Sequence, residues 1–259
     1  MDYLQRIDKN PYDDLLWNVP EQKLGTLNII GGNAQNFRTS VKTAEFIEKK
    51  YQIKETRLIL PDALAGKLPE LPNIVFLKST ESGSFASSEE LLSALDVADF
   101  NLIIGDLSKN SITGKAVVSA CQSSAKPVLI TRDAVDILAE NCDERTLMNE
   151  NLLIMGSLAQ LIKLFRAVYY PKMLTLTQSL LQVTEALHKF TVSFPVGIVT
   201  LQNGQIIVAK DGRVVVFPLD KTAYSPISLW MGEAAAHIAT LNLYNPGKIY
   251  EATVAGLFA

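Results

Sequence analysis

The chain has 259 residues, 48% hydrophobic and 20% charged, with a formal net charge of -3; it is long enough to bury a core unaided, and it lacks the basic stripe that a large nucleic-acid footprint needs. Two isolated cysteines, Cys121 and Cys142, give no disulfide framework. Met1–Arg6 has no apolar signal core and no run of about 18 apolar residues spans a membrane, so a cytoplasmic protein is expected.

Residues 1–25 are polar with scattered aromatics (Tyr12, Trp17) and read as an N-terminal helical arm, followed by a single domain over 26–259. Thr26–Ile30 is a short apolar run stopped by Gly31-Gly32, and Val41, Ala44, Ile47 and Tyr51 then recur at helical spacing. Arg57–Leu60 and Asn73–Leu77 are the next strands. Ser87-x-x-Glu90 has the pattern of a capping box and opens a helix burying Leu91, Leu92 and Leu95. Phe100–Ile104 is a strand ending at Gly105, Ser111–Ser123 is helical, and Pro127–Ile130 is again a strand. Leu152–Met155 is a strand, followed by a helix with Leu158, Leu161, Ile162 and Phe165 on one face. Continuous apolar strands alternating with amphipathic helices predict a parallel sheet covered on both faces, an α/β/α three-layer sandwich. After Pro171 the grammar changes. A long helix is expected over Lys172–Phe190, then strands Val196–Leu201, Gln205–Lys210 and Arg213–Phe217, and helices near Met231–Leu243 and Lys248–Phe258. Asp211-Gly212 joins the last two strands as a hairpin, giving a mostly parallel sheet with a C-terminal antiparallel hairpin.

Ligands of open α/β sheets sit at the carboxyl ends of the strands. That rule selects Gly31-Gly32-Asn33, Gly105-Asp106-Leu107-Ser108-Lys109, Thr131-Arg132-Asp133 and Met155-Gly156-Ser157. Gly31, Gly32 and Gly105 are the candidate substrate-binding positions, where a phosphate can approach backbone; Gly31-Gly32 does not complete a dinucleotide fingerprint, and a tight turn is the plainer reading. Gly114-Lys115 ends like a phosphate loop, but Lys109 stands where its first glycine belongs, Ala116 replaces the metal-binding hydroxyl, and the pair falls inside a helix. Asp106 and Asp133 are the acids at strand ends, able to orient a hydroxyl or a metal-bound water, or else to cap a helix. Glu233, near the start of a late helix, faces the site or complements the helix dipole. His188 and His237 have no second ligand at metal spacing, and no Gly-x-Ser-x-Gly elbow occurs, so no catalytic residue and no metal site is assigned outright.

Taken in order, residues 24–258 resemble the ribokinase-like superfamily, and within it the ADP/ATP-dependent NAD(P)H-hydrate dehydratases, which are related to carbohydrate kinases. Asn28–Asn33 is similar to that family's first strand and Gly-Gly-Ser turn, Asn101–Gly105 to the strand before its Gly-Pro-Gly-Leu-Gly loop, Pro127–Ile130 with Asp133-Ala134 to its Pro-Val-Val-Leu-Asp-Ala-Asp-Ala segment, and Asp211-Gly212-Arg213 to its late hairpin. The resemblance implies ADP or ATP with magnesium as cofactor, a nucleotide or NAD(P)H-like ligand, a hydro-lyase reaction and homo-oligomers. The functional positions depart from the family. Its Gly-Thr-Gly-Asp anion hole and acid align by eye with Ile227-Ser228-Leu229-Trp230, where large apolar side chains are expected to fill the space a phosphate needs. Its His loop aligns with Ile154–Ala159, its nucleotide lysine with Leu201, and the first Asp of its Asp-Ala-Asp segment with Thr131. A catalytically degenerate homologue, retained for binding or assembly, is the expected function. The alternative is an active dehydratase or small-molecule kinase that uses Asp106, Asp133 or Glu233 as replacement acids and Lys109, Lys115 or Lys210 as phosphate ligands.

Overall fold

The apolar runs of the sequence become neighbouring strands of one sheet. A computed structural model describes residues 2–18, 20–68 and 73–259. The first half holds β1 (Leu4–Arg6), α1 (Asp13–Trp17), β2 (Leu24–Gly31), α2 (Arg38–Lys50), β3 (Ile53–Pro61), β4 (Ile74–Leu77), α3 (Ser88–Val97), β5 (Phe100–Gly105) and α4 (Ser111–Ser123). The second holds β6 (Val128–Thr131), α5 (Asp133–Asn141), β7 (Leu152–Met155), α6 (Leu158–Ala167), α7 (Leu180–Ser193), β8 (Gly197–Gln202), β9 (Gln205–Lys210), β10 (Arg213–Pro218), α8 (Glu233–Tyr244) and α9 (Ile249–Gly256). The strand order is β1-β10-β9-β8-β7-β6-β5-β2-β3-β4, parallel from β4 to β8 and antiparallel through β8-β9-β10.

Alternation along the strands sorts the core into two layers. Ile30, Ile103, Ile130 and Ile154 pack under α3 to α7. Ile29, Leu102, Leu129 and Leu153 pack under α2, α8 and α9. Both faces of the central strands are therefore apolar, as a covered parallel sheet requires.

Several boundaries differ from the sequence reading. The N-terminal arm is not wholly helical: β1 lies parallel to β10, and Tyr3 stacks on His188 with ring centroids 4.0 Å apart. Residues 1 and 19 of the arm lie outside the described residues. The helix expected from Lys172 starts only at Leu180, because Ser179 and Gln182 form a reciprocal capping box there, while Thr175 and Gln178 hold a turn upstream. At α3 the box is half made: Ser87 accepts from the Glu90 N–H, but the Glu90 carboxylate accepts from Lys78 N–H instead. Asp211-Gly212 forms the expected hairpin turn with φ of 51° and 73°. Asn203-Gly204 repeats it at 50° and 73° between β8 and β9, so the antiparallel part is a three-strand meander rather than one hairpin.

Candidate functional site

The carboxyl ends of β2, β5 and β6 meet in a tightly bonded cradle. The register slips between Ile30 and Gly31, where Gly31 comes opposite Gly105, and Gly32 N–H donates to the Gly105 carbonyl at 2.9 Å. A Cβ on Gly31 would overlap that same carbonyl, and one on Gly105 would overlap Asp133 Oδ1. Gly31 and Gly105 thus let their backbone lie closer to neighbouring protein atoms than any side chain allows.

Both strand-end acids are occupied. Asp106, at φ 57°, is buried; its Oδ1 accepts from Asn36 Nδ2 at 3.0 Å and pairs with Arg132 Nη2 at 2.9 Å, and its Oδ2 accepts from Thr39 N–H at 3.4 Å. The carboxylate so lies at the N-terminus of α2, where the helix dipole favours an anion. Asp133 does not cap its own helix, as the sequence suggested; the N-cap is Arg132, without a side-chain bond. Instead its oxygens accept from Asp106 N–H at 2.8 Å and Leu107 N–H at 3.0 Å, clamping the loop after β5.

Arg132 links the cradle to the neighbouring cleft. Its backbone sits at φ 59°, ψ -139°, a region that almost only glycine adopts and that costs a few kcal/mol elsewhere. Its Nη1 points to the Trp230 carbonyl at 3.5 Å and Met231 Sδ at 3.9 Å, while its Nε is buried without a partner. Beyond it an open cleft of about 640 Å³ runs past Asp136, Gln160 and Lys163 to Ile227, Trp230 and Met231. Lys163 pairs with Asp136 at 2.5 Å, and Gln160 Nε2 donates to Asp136 and to the Arg132 carbonyl. Burial pushes the Asp136 carboxyl up, but the bonds from Lys163 and Gln160 outweigh it and hold the group below its ordinary range.

The helix opening differs most from the sequence alignment. Ile227 is exposed and Leu229 lies in the core, so of the aligned residues only Ile227 and Trp230 reach the cleft wall. The late helix α8 opens at Gly232, which is its N-cap at φ 112° with no side-chain bond, followed by Glu233. A Cβ at Gly232 would crowd Thr43 of α2. Glu233 is exposed and shares a helix face with His237 one turn on. His237 packs against Tyr51, Phe46 and Lys50, and Glu233 is not among the residues that line the cleft.

Burial, with Lys50 beside it, pulls His237 down to about 4 from 6.5. The folded protein keeps this imidazole neutral while the unfolded chain protonates near its ordinary value. Its contribution is therefore complete above pH about 6.5 and is lost as pH falls through about 4. Urea unfolding of His237→Gln should be less acid-sensitive than the parent by roughly 2–3 kcal/mol across that window; equal slopes would show that His237 does not control it.

Other sequence candidates lie elsewhere. Gly114-Lys115 is inside α4, and Lys109 pairs with Glu140 at 3.9 Å. Lys210 is buried at the opposite, amino-end pole, donating to the Glu150 and Pro195 carbonyls at 2.9 Å each. Among the described residues no group of three His, Cys, Asp or Glu is placed to hold a metal ion, and no helix is long and apolar enough to cross a membrane.

No family model and no curated protein sequence matches the chain. Solved structures do. A ribokinase-like superfamily protein from Enterococcus faecalis superposes with a TM-score of 0.69 at 16% identity, over 100% of this chain and 86% of that one. The chain has the ribokinase-like fold. Within that fold, an ADP/ATP-dependent NAD(P)H-hydrate dehydratase from Bacillus subtilis matches at TM-score 0.63 and 12% identity, over 97% of this chain and 86% of that one. A hydroxyethylthiazole kinase from Pyrococcus horikoshii matches at TM-score 0.57 and 13% identity, over 95% and 80%.

In the sequence Arg132 stands out only as part of Thr131-Arg132-Asp133, and Asn36, Asp136, Gln160 and Lys163 belong to no motif. Their signal was positional: each lies within a turn or two of a strand's carboxyl end, where the ribokinase-like fold gathers its loops. Gly232 carried a plainer signal, a glycine immediately before an acid at a helix start, two residues beyond Trp230.

Proposed function

We propose that this chain is a non-catalytic, ribokinase-like binding protein, descended from a nucleotide-using enzyme of the dehydratase or small-kinase kind and working in the cytoplasm with residues 26–259 as one unit. The observation that carries the reading is the state of its acids. Asp106 is spent on Asn36, Thr39 and Arg132, Asp133 on two backbone amides, and Glu233 does not line the cleft. An acid/base residue must reach the proton it moves, and none of the three is free to do so in the cleft.

A ligand-binding role is supported by what remains. The uncapped N-terminus of α8 favours an anion, and Trp230 and Arg132 offer a flat apolar wall and a planar cation beside it. The fit to ADP or ATP is partial. The turn at Gly232 suits a phosphate, but the β8 end offers Leu201 and Gln202, and the Gln202 amide is bonded to the Gln178 carbonyl. Self-association, implied by the resemblance, is the second half of the reading.

The test is a thermal-shift series with ADP, ATP, NADH and NADPH, with and without magnesium, beside an assay for recovery of NADH from its hydrate. At about a hundred times Kd a bound nucleotide stabilises by about 2.7 kcal/mol, which raises Tm by roughly 5–10 °C for a chain of this size. The expected result is a shift with at least one nucleotide and no turnover. Turnover overturns the non-catalytic reading, and no shift with any of the four overturns the nucleotide-binding one.

A further inference from the structure

A second cleft, of about 450 Å³, lies at the other pole of the sheet, where the approaches to β2, β5 and β6 meet the turn between α8 and α9. It shares no residue with the cleft beside Trp230, and its volume is that of a small-molecule site. Two opposite charges line it. Asn101 pairs with Val128 between β5 and β6, so Asp99 and Lys126, each two residues earlier, enter the sheet side by side; adjacent strands lie about 4.8 Å apart. Among the described residues neither side chain has an ion-pair partner. Asp99 Oδ2 accepts from Thr26 N–H at 2.9 Å, which fixes the carboxylate and leaves Oδ1 without a protein donor. Gly25, at φ 70°, brings an apolar wall up to this acid: a Cβ there would overlap Leu243 Cδ1 at 2.7 Å and meet Asp99 Oδ2 at 3.3 Å. Leu24, 47% exposed, and Ile249 extend that wall. The last turn of α8 adds Asn242, whose Nδ2 donates to the Ile238 carbonyl at 2.9 Å while its buried Oδ1 has no donor. A helix C-terminus and an unsatisfied amide oxygen both favour a cationic donor.

We propose that this cleft binds a free α-amino acid with an apolar side chain. Its ammonium group sits at Asp99 and the end of α8, its carboxylate at Lys126, and its side chain on Leu24, Leu243 and Ile249. The inference goes beyond the nucleotide reading and is independent of it. The two charges select the ligand. A simple amine leaves Lys126 unpaired, and a simple carboxylate leaves Asp99 unpaired beside the negative end of α8. A nucleotide brings phosphate charge against the same acid. An α-amino acid carries both charges on one carbon, close enough to span two neighbouring strand entrances, and its apolar group has a wall to cover.

The experiment is calorimetric titration of the full chain with L-leucine and L-phenylalanine up to ~10 mM, which fills a site of millimolar Kd or tighter, beside isoamylamine and isovalerate, which each lack one of the charges. At least one amino acid should bind, and the amine and the acid should bind at least about tenfold more weakly, the loss of one charge-assisted contact. Asp99→Asn, which keeps an acceptor for Thr26 N–H, and Lys126→Gln should each weaken amino-acid binding by a similar factor. In amide NMR spectra of the parent, the bound amino acid should shift Gly25 and Gly247 and leave Gly232 in place. No binding of either amino acid overturns the proposal. So does equal affinity for isoamylamine or isovalerate, binding that survives both substitutions, or a shift at Gly232 with none at Gly25. The NMR map uses the parent alone, so it decides the matter should either variant misfold. None of these outcomes touches the nucleotide reading, which has its own titrants.

Discussion

Asp106→Ala should be among the most destabilising single substitutions in the molecule, by about 3–5 kcal/mol, which is about 10 °C or more in Tm. The substitution removes the carboxylate that joins the turn after β2, the first turn of α2 and the strand end of β6. It also leaves the Arg132 guanidinium, whose side chain is only 21% exposed, without its ion-pair partner. An unpaired charge in that position costs more than the pair contributes, because desolvation is no longer offset. The double variant Asp106→Ala/Arg132→Met discriminates the cause. Removing both charges should recover part of the loss, giving a favourable coupling in a denaturation cycle. A loss below about 1 kcal/mol for Asp106→Ala, or strict additivity in the cycle, would mean that Asp106 is not the hub of the cradle and remains available for chemistry.

Gly105→Ala should cost about 4 kcal/mol, from two sources that a control can separate. One is conformational: Gly105 lies at φ 96°, where an L-residue is strained. The other is spatial, since the added methyl would overlap Asp133 Oδ1 and also meet Arg132 Cβ at 3.3 Å. Asp133 would have to move and surrender the two amide bonds it accepts from Asp106 and Leu107. Gly204→Ala supplies the control. Gly204 is at φ 73°, but nothing lies within 4 Å of its absent Cβ, so only the strain is left, about 1 kcal/mol. Equal losses at the two positions in urea titrations would sink the claim that Gly105 is needed for the approach of Asp133.

These two positions also show how far the sequence could be read. Gly105 and Asp106 were legible as the end of a strand, because Phe100–Ile104, apolar at four of five positions, precedes them. What they touch was not, because Asp106 meets Arg132 and Asn36 across separations of 26 and 70 residues. The order of elements, the parallel core and the Asp211-Gly212 hairpin followed from local periodicity and turn chemistry. The late start of α7 did not, since Met173, Leu176 and Leu180 keep a helical spacing through a segment that the capping box at Ser179 excludes from the helix. The opening of α8 was misplaced for a related reason. Ile227–Trp230 looked like a plug in a linear alignment, yet Leu229 is drawn into the core and the chain needs three more residues to reach Gly232. Direction was the least legible property: nothing local reveals that Glu233 stands outside the cleft wall that Ile227 and Trp230 reach.

The pairing of β1 with β10 has a consequence for how the molecule is made. Leu4–Arg6 leaves the ribosome well before its partner Arg213–Pro218, which is the last described strand in chain order. Until then the opening segment has no ladder to join, and the Tyr3 ring has no His188 to stack on. The strand Leu4–Arg6 is therefore a late seal on a sheet whose other strands pair without it, a clasp rather than a nucleus.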